Sequence, residues 1–339
     1  MNILLTSAGR RTYLVNYFKD SLKGKGLVHA ANNIMTYTLS QADRYVITPD
    51  IYDERYIDFL IDYCKDSNIT AILSFFDVDL PVLAKNKRKF GEQGITVVVS
   101  DECVTRICND KWMTYCFIKK IGLKQASAYI SLSEAKEALK KGEIAYPLII
   151  KPRWGMGSIG IFQVENDEEL DVLYCKLQRE IFDTYLKYES QVDVGACVLI
   201  QTKVEGQEYG LDVLNDLDGN YVTTVVKKKL AMRAGETDIA QVVDNSSLAR
   251  VGRVLSENLR HIADLDVDCF VLENGDIYVL ELNCRFGGQY PFSHNAGVNF
   301  PKQIVEWLEG RATDVSLVTP GIGIKSCKNL EPVIISYDE

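Results

Sequence analysis

The sequence predicts an α/β protein, in which an N-terminal doubly wound parallel α/β domain precedes a larger α+β region built on antiparallel sheets. Three observations carry this expectation. Apolar runs alternate with helix-periodic segments through roughly the first 100 residues, as in a parallel sheet covered on both faces. A glycine-rich stretch, GMGSIG at 155–160, separates two apolar runs. Two turn signals, DGN at 218–220 and ENGD at 273–276, each stand between β-rich runs, which is the pattern of a hairpin.

In chain order, residues 2–6 (NILLT) form an apolar strand, SAGRR makes a turn, and Leu14, Val15, Phe18 and Leu22 follow at helical spacing. Apolar runs at 27–31, 45–48, 71–76 and 95–99 read as further strands, with helical patterns at 53–65 and 80–90 between them. A helix is expected at 111–121, closed by Gly122, and another at about 133–141. YPLIIKPRWGMGSIGIFQV reads as strand, glycine loop and strand, with a short helix beginning near Asp167. The runs around 197–216 and 219–230 are strands in hairpin arrangement, a helix covers about 247–264, and VDCFVLENGDIYVLELNCRF is a second hairpin. Residues 298–309 are helical, and the patternless tail from 311 carries one expected strand near 331–336.

Composition narrows the function classes. The chain has 339 residues, 47% hydrophobic and 25% charged, enough for two or three packed subdomains. A net charge of -9 repels phosphate polyanions at long range, so nucleic acid and membrane surfaces are not expected partners. The nine cysteines contain no CxxC pair and sit largely in apolar runs, as reduced, buried thiols of a cytoplasmic protein would. His29, His261 and His294 lack metal-ligand spacing. The N-terminus has no signal-peptide pattern, and no apolar run reaches the length of a membrane span.

The chemistry concentrates in four places. SAGRR places Arg10 and Arg11 at a helix N-terminus, where they suit a carboxylate or phosphate; plain solvent exposure is the other reading. Asp77 follows a strand of the same domain, at the end where such sheets bind ligands, and GxGxxG is absent. Lys151 with the 155–160 loop reads as a phosphate cradle that is not a P-loop, or as a flexible hairpin without a ligand. QTKVEGQEYGLDV at 201–213 combines backbone groups leaving an apolar strand with Glu208, a carboxylate suited to ribose hydroxyls. In LELNCRFGG at 280–288, a strand would put Glu281, Asn283 and Arg285 on one face. That face is either a wetted edge or, with Asp268 on the preceding strand, a set of hard oxygen ligands for Mg2+ beside a guanidinium.

With NDK at 109–111, KPRWGMGSIG at 151–160, QTKVEGQEYGLDV and LELNCRFGG in this order, the chain resembles the ATP-grasp superfamily over roughly residues 1–310. The likeness is to its carbamoyl phosphate synthase-like carboxylate-amine ligases. The resemblance implies an N-terminal domain over 1–102, an ATP-grasp domain over 103–310 and a C-terminal extension over 311–339. Within the ATP-grasp domain it implies a lid at about 115–200 and a C-terminal subdomain at about 201–310. It also implies ATP contacts from Lys111, Lys151, Gly155, Gly157, Ser158, Gly160, Gln201, Lys203, Val204 and Glu208. Metal ligation falls to Asp268, Glu281 and Asn283, with Mg2+ as the ion and Mn2+ as its alternative, and catalysis to Arg285, Lys151 and Asn283. Arg10, Arg11, Asp77, Gly287 and Gly288 are the implied substrate contacts. Gln201 departs from the acid many relatives carry there, and Cys284, where proline is common, reads as packing. Lys227, Lys228, Lys229 and Arg233 form either a phosphate contact or a basic surface strand.

The implied reaction transfers the γ-phosphoryl group of ATP to a small-molecule carboxylate, giving an acyl phosphate and ADP, and an amine then displaces phosphate to form an amide. The alternatives are a kinase that stops at phosphoryl transfer and a non-catalytic ATP-binding module. Neither substrate is specified by the sequence, and a homodimer is the common assembly for such chains.

Overall fold

The computed structural model describes residues 1–157 and 159–334. The chain forms two compact units, the first from 1–105, 210–266 and 283 onward, the second from 106–209 and 267–282.

The first unit begins with β1 (Asn2–Thr6), α1 (Thr12–Leu22), β2 (Val28–Asn32), α2 (Tyr37–Gln41), β3 (Arg44–Ile47), α3 (Tyr56–Asp66), β4 (Ile69–Ser74), α4 (Asp79–Gly91) and β5 (Thr96–Val97). The strands form a parallel sheet in the order β3-β2-β1-β4-β5. Leu4 pairs with both His29 and Ile72, which puts β1 at the centre, and Ile3, Leu4 and Leu5 are fully buried. Both faces are covered because apolar helix residues recur at helical spacing: Leu14, Val15, Phe18 and Leu22 of α1 are buried. The five expected strands and three expected helices are present. The helix α2 was not legible, since its five residues YTLSQ carry too little periodicity, and only the Thr36 cap marks it. The order of strand addition reverses between β1 and β4, so the loops after these two strands open onto the crevice where such sheets bind ligands.

The second unit contains α6 after α5 (Glu102–Asn109), with α6 at Lys111–Lys120, then β6 (Ala128–Tyr129), α7 (Leu132–Lys141), β7 (Leu148–Pro152), β8 (Phe162–Val164), α8 (Asp167–Glu180), α9 (Lys187–Ser190) and β9 (Val198–Thr202). Asp110 caps α6 by accepting from the amides of Trp112 and Met113. The sheet order is β6-β9-β7-β8, with antiparallel pairing of Lys151 to Leu199 and of Ile150 to both Ile200 and Phe162. Leu148, Ile150, Leu177, Val198 and Ile200 form its core. The helix expected to be short after Asp167 runs 14 residues, since Leu170, Tyr174 and Leu177 bury one face of it.

The chain continues through β10 (Gln207–Asn215), β11 (Tyr221–Arg233), β12 (Glu236–Val242), α10 (Ser246–Leu259), β13 (Ala263–Val271), β14 (Ile277–Asn283), α11 (Tyr290–Asn295), α12 (Phe300–Leu308), α13 (Val315–Val318) and β15 (Lys325–Cys327). These strands form a sheet in the order β14-β13-β10-β11-β12-β15, and β10, β13 and β14 each have residues in both units.

Four expectations are corrected. The helix expected at 247–264 stops at Leu259, because Arg260 takes a left-handed conformation (φ 57°) and its amide closes on Ser256 O. Of the strand expected near 331–336, residues 331–334 have no regular structure and 335–336 lie outside the described residues; the tail's strand is instead β15. The cysteines are not uniformly buried: Cys64, Cys108, Cys197, Cys269 and Cys284 are, whereas Cys103, Cys116 and Cys175 lie on exposed helix faces and Cys327 on an edge strand. The lysines of β11 are no basic surface strand, for Lys227 and Lys229 are buried in the sheet.

Candidate active site

In the second unit, Lys111 and Lys151 are both buried and line one cleft with Gly155, Met156, Gly157, Ile159, Ile161 and Glu281. Lys111 arrives as the first residue of α6, fixed by the Asp110 cap and by its own amide, which donates to Arg153 O at 3.1 Å. Its ammonium donates to Gly155 O of the glycine loop and to Glu281 Oε1, the latter at 2.9 Å. Lys151 comes from β7. Burial pushes its ammonium down to about 8, Lys111 adds to the shift and Glu281 opposes it. Two buried cations around a glycine loop with a single carboxylate between them form a site that favours an incoming anion.

The loop itself has Gly157 and Gly160 at positive φ, 61° and 67°. Ser158 lies outside the described residues. The cavity in the cleft is about 50 Å³. That is far below the roughly 300–1,000 Å³ of ligand sites, so a nucleotide would need the cleft to open.

Following the cleft, Gln201 is buried on β9, paired across to Ile149 and Ala128. The Lys203 amide donates to Pro147 O at 3.3 Å, and its ammonium pairs with Glu205 at 2.9 Å. Val204 is half-buried, and Glu208 is half-buried near the start of β10.

The three expected metal donors lie on one hairpin. Asp268 is on β13, and Glu281 and Asn283 are on β14, with the turn held by Leu272 N to Asp276 O at 2.9 Å. Among the described residues no three His, Cys, Asp or Glu side chains gather as a metal cluster. Two carboxylates and an amide are nonetheless a hard oxygen set that fits Mg2+, whose other positions phosphate oxygens and water ordinarily fill.

Arg285 departs from the strand reading. The strand ends at Asn283, and the Arg285 amide turns back to Asn283 O at 2.8 Å, so Arg285 does not continue the alternation of Glu281 and Asn283. It belongs instead to a polar cluster of the first unit. Its guanidinium holds Asp77 Oδ2 at 3.0 Å and Asp266 Oδ2 at 3.0 Å, all three side chains being about nine-tenths buried. Asp266 also accepts from Gln289 Nε2 at 2.6 Å, and Arg11 donates to Phe286 O. Arg10 is exposed. Gly287 is required here, because a β-carbon on it would collide with the Asp266 carboxylate, whereas Gly288 has room for one.

Asp79 staples the crevice beside this cluster. Its carboxylate is fully buried and accepts from Thr6, Ser7, Ser74 and Tyr56 hydroxyls at 2.6, 3.0, 2.7 and 2.9 Å, which locks the loop after β1 to the start of α4. Deeper still, Lys227 Nζ lies 2.5 Å from Asp212 Oδ1 with both side chains fully buried. Among the described residues neither oxygen of the buried Asp264 has a hydrogen-bond partner, and burial, then Asp212, pushes this carboxyl well above the usual range. Asp266, Gln289 and Tyr13 were missed from the sequence. The alternation Asp264, Asp266, Asp268 was the available signal for the first of these.

The family "PylC-like, N-terminal domain" matches residues 3–98, and the family "ATP-grasp domain" matches residues 144–291. The arginine-specific large chain of carbamoyl phosphate synthase from Bacillus subtilis is 24% identical over 210 residues, covering 58% of this chain and 18% of that one. This chain therefore spans under a fifth of that relative's length. D-alanine–D-alanine ligase of Streptococcus pneumoniae is 24% identical over 319 residues, 87% of this chain and 84% of the ligase. Among solved structures, the biotin carboxylase domain dimer of Hydrogenobacter thermophilus 2-oxoglutarate carboxylase, with MgADP, ADP and bicarbonate, superimposes with a TM-score of 0.73. It is 18% identical and covers 96% of this chain and 74% of that one, a likeness of fold.

Proposed function

Because the chain belongs to the ATP-grasp superfamily, we propose that it is an ATP- and Mg2+-dependent ligase that joins a small-molecule carboxylate to an amine and forms ADP. The observation that carries this reading is the cleft in which Lys111 and Lys151 flank the glycine loop with Glu281 between them. Lys111 and Lys151 bind the ATP phosphates, and residues 201–204 with Glu208 hold the adenosine. Asp268, Glu281 and Asn283 are the residues that would hold Mg2+, which neutralises phosphate charge when bound. Lys111, which donates to Glu281, would turn to phosphate as nucleotide binds. Gly155, Gly157, Ser158 and Gly160 form a flap over the phosphates that keeps water from the acyl phosphate. Arg285, with Lys151 and Asn283, stabilises charge as the phosphoryl group moves. Asp77 and Asp266 hold its guanidinium rigid for this task. Arg10, Arg11, Asp77, Gly287 and Gly288 form the substrate side of the site. Domain limits of 1–102, 103–310 and 311–339 go with this reading.

The test is ADP release from purified chain given ATP, Mg2+ and panels of carboxylic acids and amines. Release of ADP that depends on both substrates is expected; release of AMP would overturn the reading, and a stable phosphorylated product without amine would make the chain a kinase. Glu281→Ala is expected to abolish turnover, with at least a hundredfold loss in kcat typical of a lost electrostatic contact in a transition state.

A further inference from the structure

The C-terminal segment reaches the substrate side of the first unit. Strand β15 pairs antiparallel with β12, Lys325 to Gln241, Ser326 to Ala240 and Cys327 to Ile239, and the Lys328 amide donates to Asp238 O at 2.9 Å. This backbone anchorage sets Lys328, whose ammonium donates to Glu236 Oε2 at 2.7 Å. A β-carbon built on Gly288 would lie 3.7 Å from that ammonium and 4.0 Å from Glu236 Oε2, so the pair stands directly against the second glycine.

Glu236 follows the tight turn at Ala234 and Gly235, both at positive φ, that joins β11 to β12. Its carboxylate is held below the usual range, chiefly by the Lys328 hydrogen bond, and the charges of Arg11 and Arg10 act on it in the same sense. The Tyr13 phenol lies within the fields of Arg11, Arg285, Glu236 and Asp266, which joins this spot to the Arg285 cluster. One carboxylate on a hairpin tip therefore lies in the field of three cations, Arg10 and Arg11 from the loop before α1 and Lys328 from the tail. The Glu236 side chain is 72% exposed. A pair that open to water is worth little and is screened by salt, so a competing anion can replace it.

We propose that Arg10, Arg11 and Lys328 form a receptor for an anionic group of the small-molecule substrate, and that Glu236 occupies this receptor until substrate arrives. The identity of the anion's carrier as a ligase substrate rests on the proposed function; the receptor itself acts without ATP. Its ligand is a carboxylate or phosphoryl group, which both offer the oxygens that an arginine fork and an ammonium bind.

The test uses the full chain without nucleotide, titrated by calorimetry with succinate and, separately, inorganic phosphate at fixed ionic strength. Binding of either is expected, and the stronger of the two identifies the group recognised. Lys328→Gln is expected to weaken it about tenfold, the scale of one charge-assisted hydrogen bond. Glu236→Gln, which removes the internal competitor, is expected to tighten it several-fold. Lys25→Gln removes one positive charge from a remote ion pair with Glu309 and is expected to leave it unchanged. The inference is overturned if neither anion binds, if Glu236→Gln weakens binding, or if Lys25→Gln weakens it as much as Lys328→Gln does. Should Lys328→Gln fail to fold, Glu236→Gln alone carries the decision, since it loses only an exposed pair. Substrate-dependent ADP release without anion binding would sink this inference and leave the ligase reading standing; anion binding without ADP release would do the reverse.

Discussion

Lys151 is the residue whose chemistry is set most directly by its surroundings. A buried ammonium with a second ammonium near it loses its proton at about 8 rather than 10.5. Between these values the unfolded chain holds the proton and the folded chain does not, so Lys151 makes stability rise with pH across that window. Nucleotide phosphates favour the charged form, which gives the opposite sign for binding. ADP affinity is expected to be flat below pH 8 and to fall towards tenfold per pH unit above it, with Lys151→Met weaker and without that slope. His261 shifts in the same sense, at lower pH. It is fully buried, donates Nε2–H to Val213 O at 2.9 Å and is held neutral by burial, down to about 4. The unfolded imidazole takes its proton near 6.5, so stability is retained above that value and lost as pH falls from 6.5 to 4, by at most about 3 kcal/mol. Urea unfolding at pH 7, 5.5 and 4.5 checks this, and His261→Gln is expected to flatten the dependence.

The decisive element is β14 and the turn that ends it. Period-two reading of LELNCRFGG carries Glu281 and Asn283 correctly, and then fails at Arg285 because the backbone folds back at Cys284. The failure is informative: leaving the strand is what lets Arg285 reach Asp77, a residue 208 positions earlier in the chain. Gly287 makes the turn's second demand, since only a residue without a β-carbon leaves room for the Asp266 carboxylate. Gly287→Ala is therefore expected to displace Asp266 from Arg285, costing about 1–3 kcal/mol of stability. In turnover it is expected to lower kcat with ADP affinity unchanged, because Arg285 and Asp266 belong to the first unit and the two lysines to the second. Equal loss of ADP affinity would count against that assignment. The tail is a second element whose role had no signal in the sequence. KSC has no apolar alternation, and its place at the sheet edge comes from backbone pairing to β12 alone.

At the scale of the molecule, a net charge of -9 coexists with two local basic sites, so anion binding here is a matter of placement rather than of the long-range field. No helix among the described residues is long and apolar enough to cross a membrane. The edge strand β3 exposes Tyr45 and Ile47, 51% and 43% accessible. The sequence by itself determined the alternation of strand and helix in the first domain, the glycine loop between β7 and β8, the two hairpin turns and the order of the four motifs. Each of these rests on local physics: side-chain period, turn chemistry and the free amides of glycine. Only the tertiary structure decided that Lys227 and Lys229 are interior, that Asp266 rather than a nearer acid grips Arg285, and that Lys328 meets Glu236. Those outcomes depend on which distant segments share a buried volume, where an unpaired charge is costly and a paired one is tolerated, and no window of sequence contains that information.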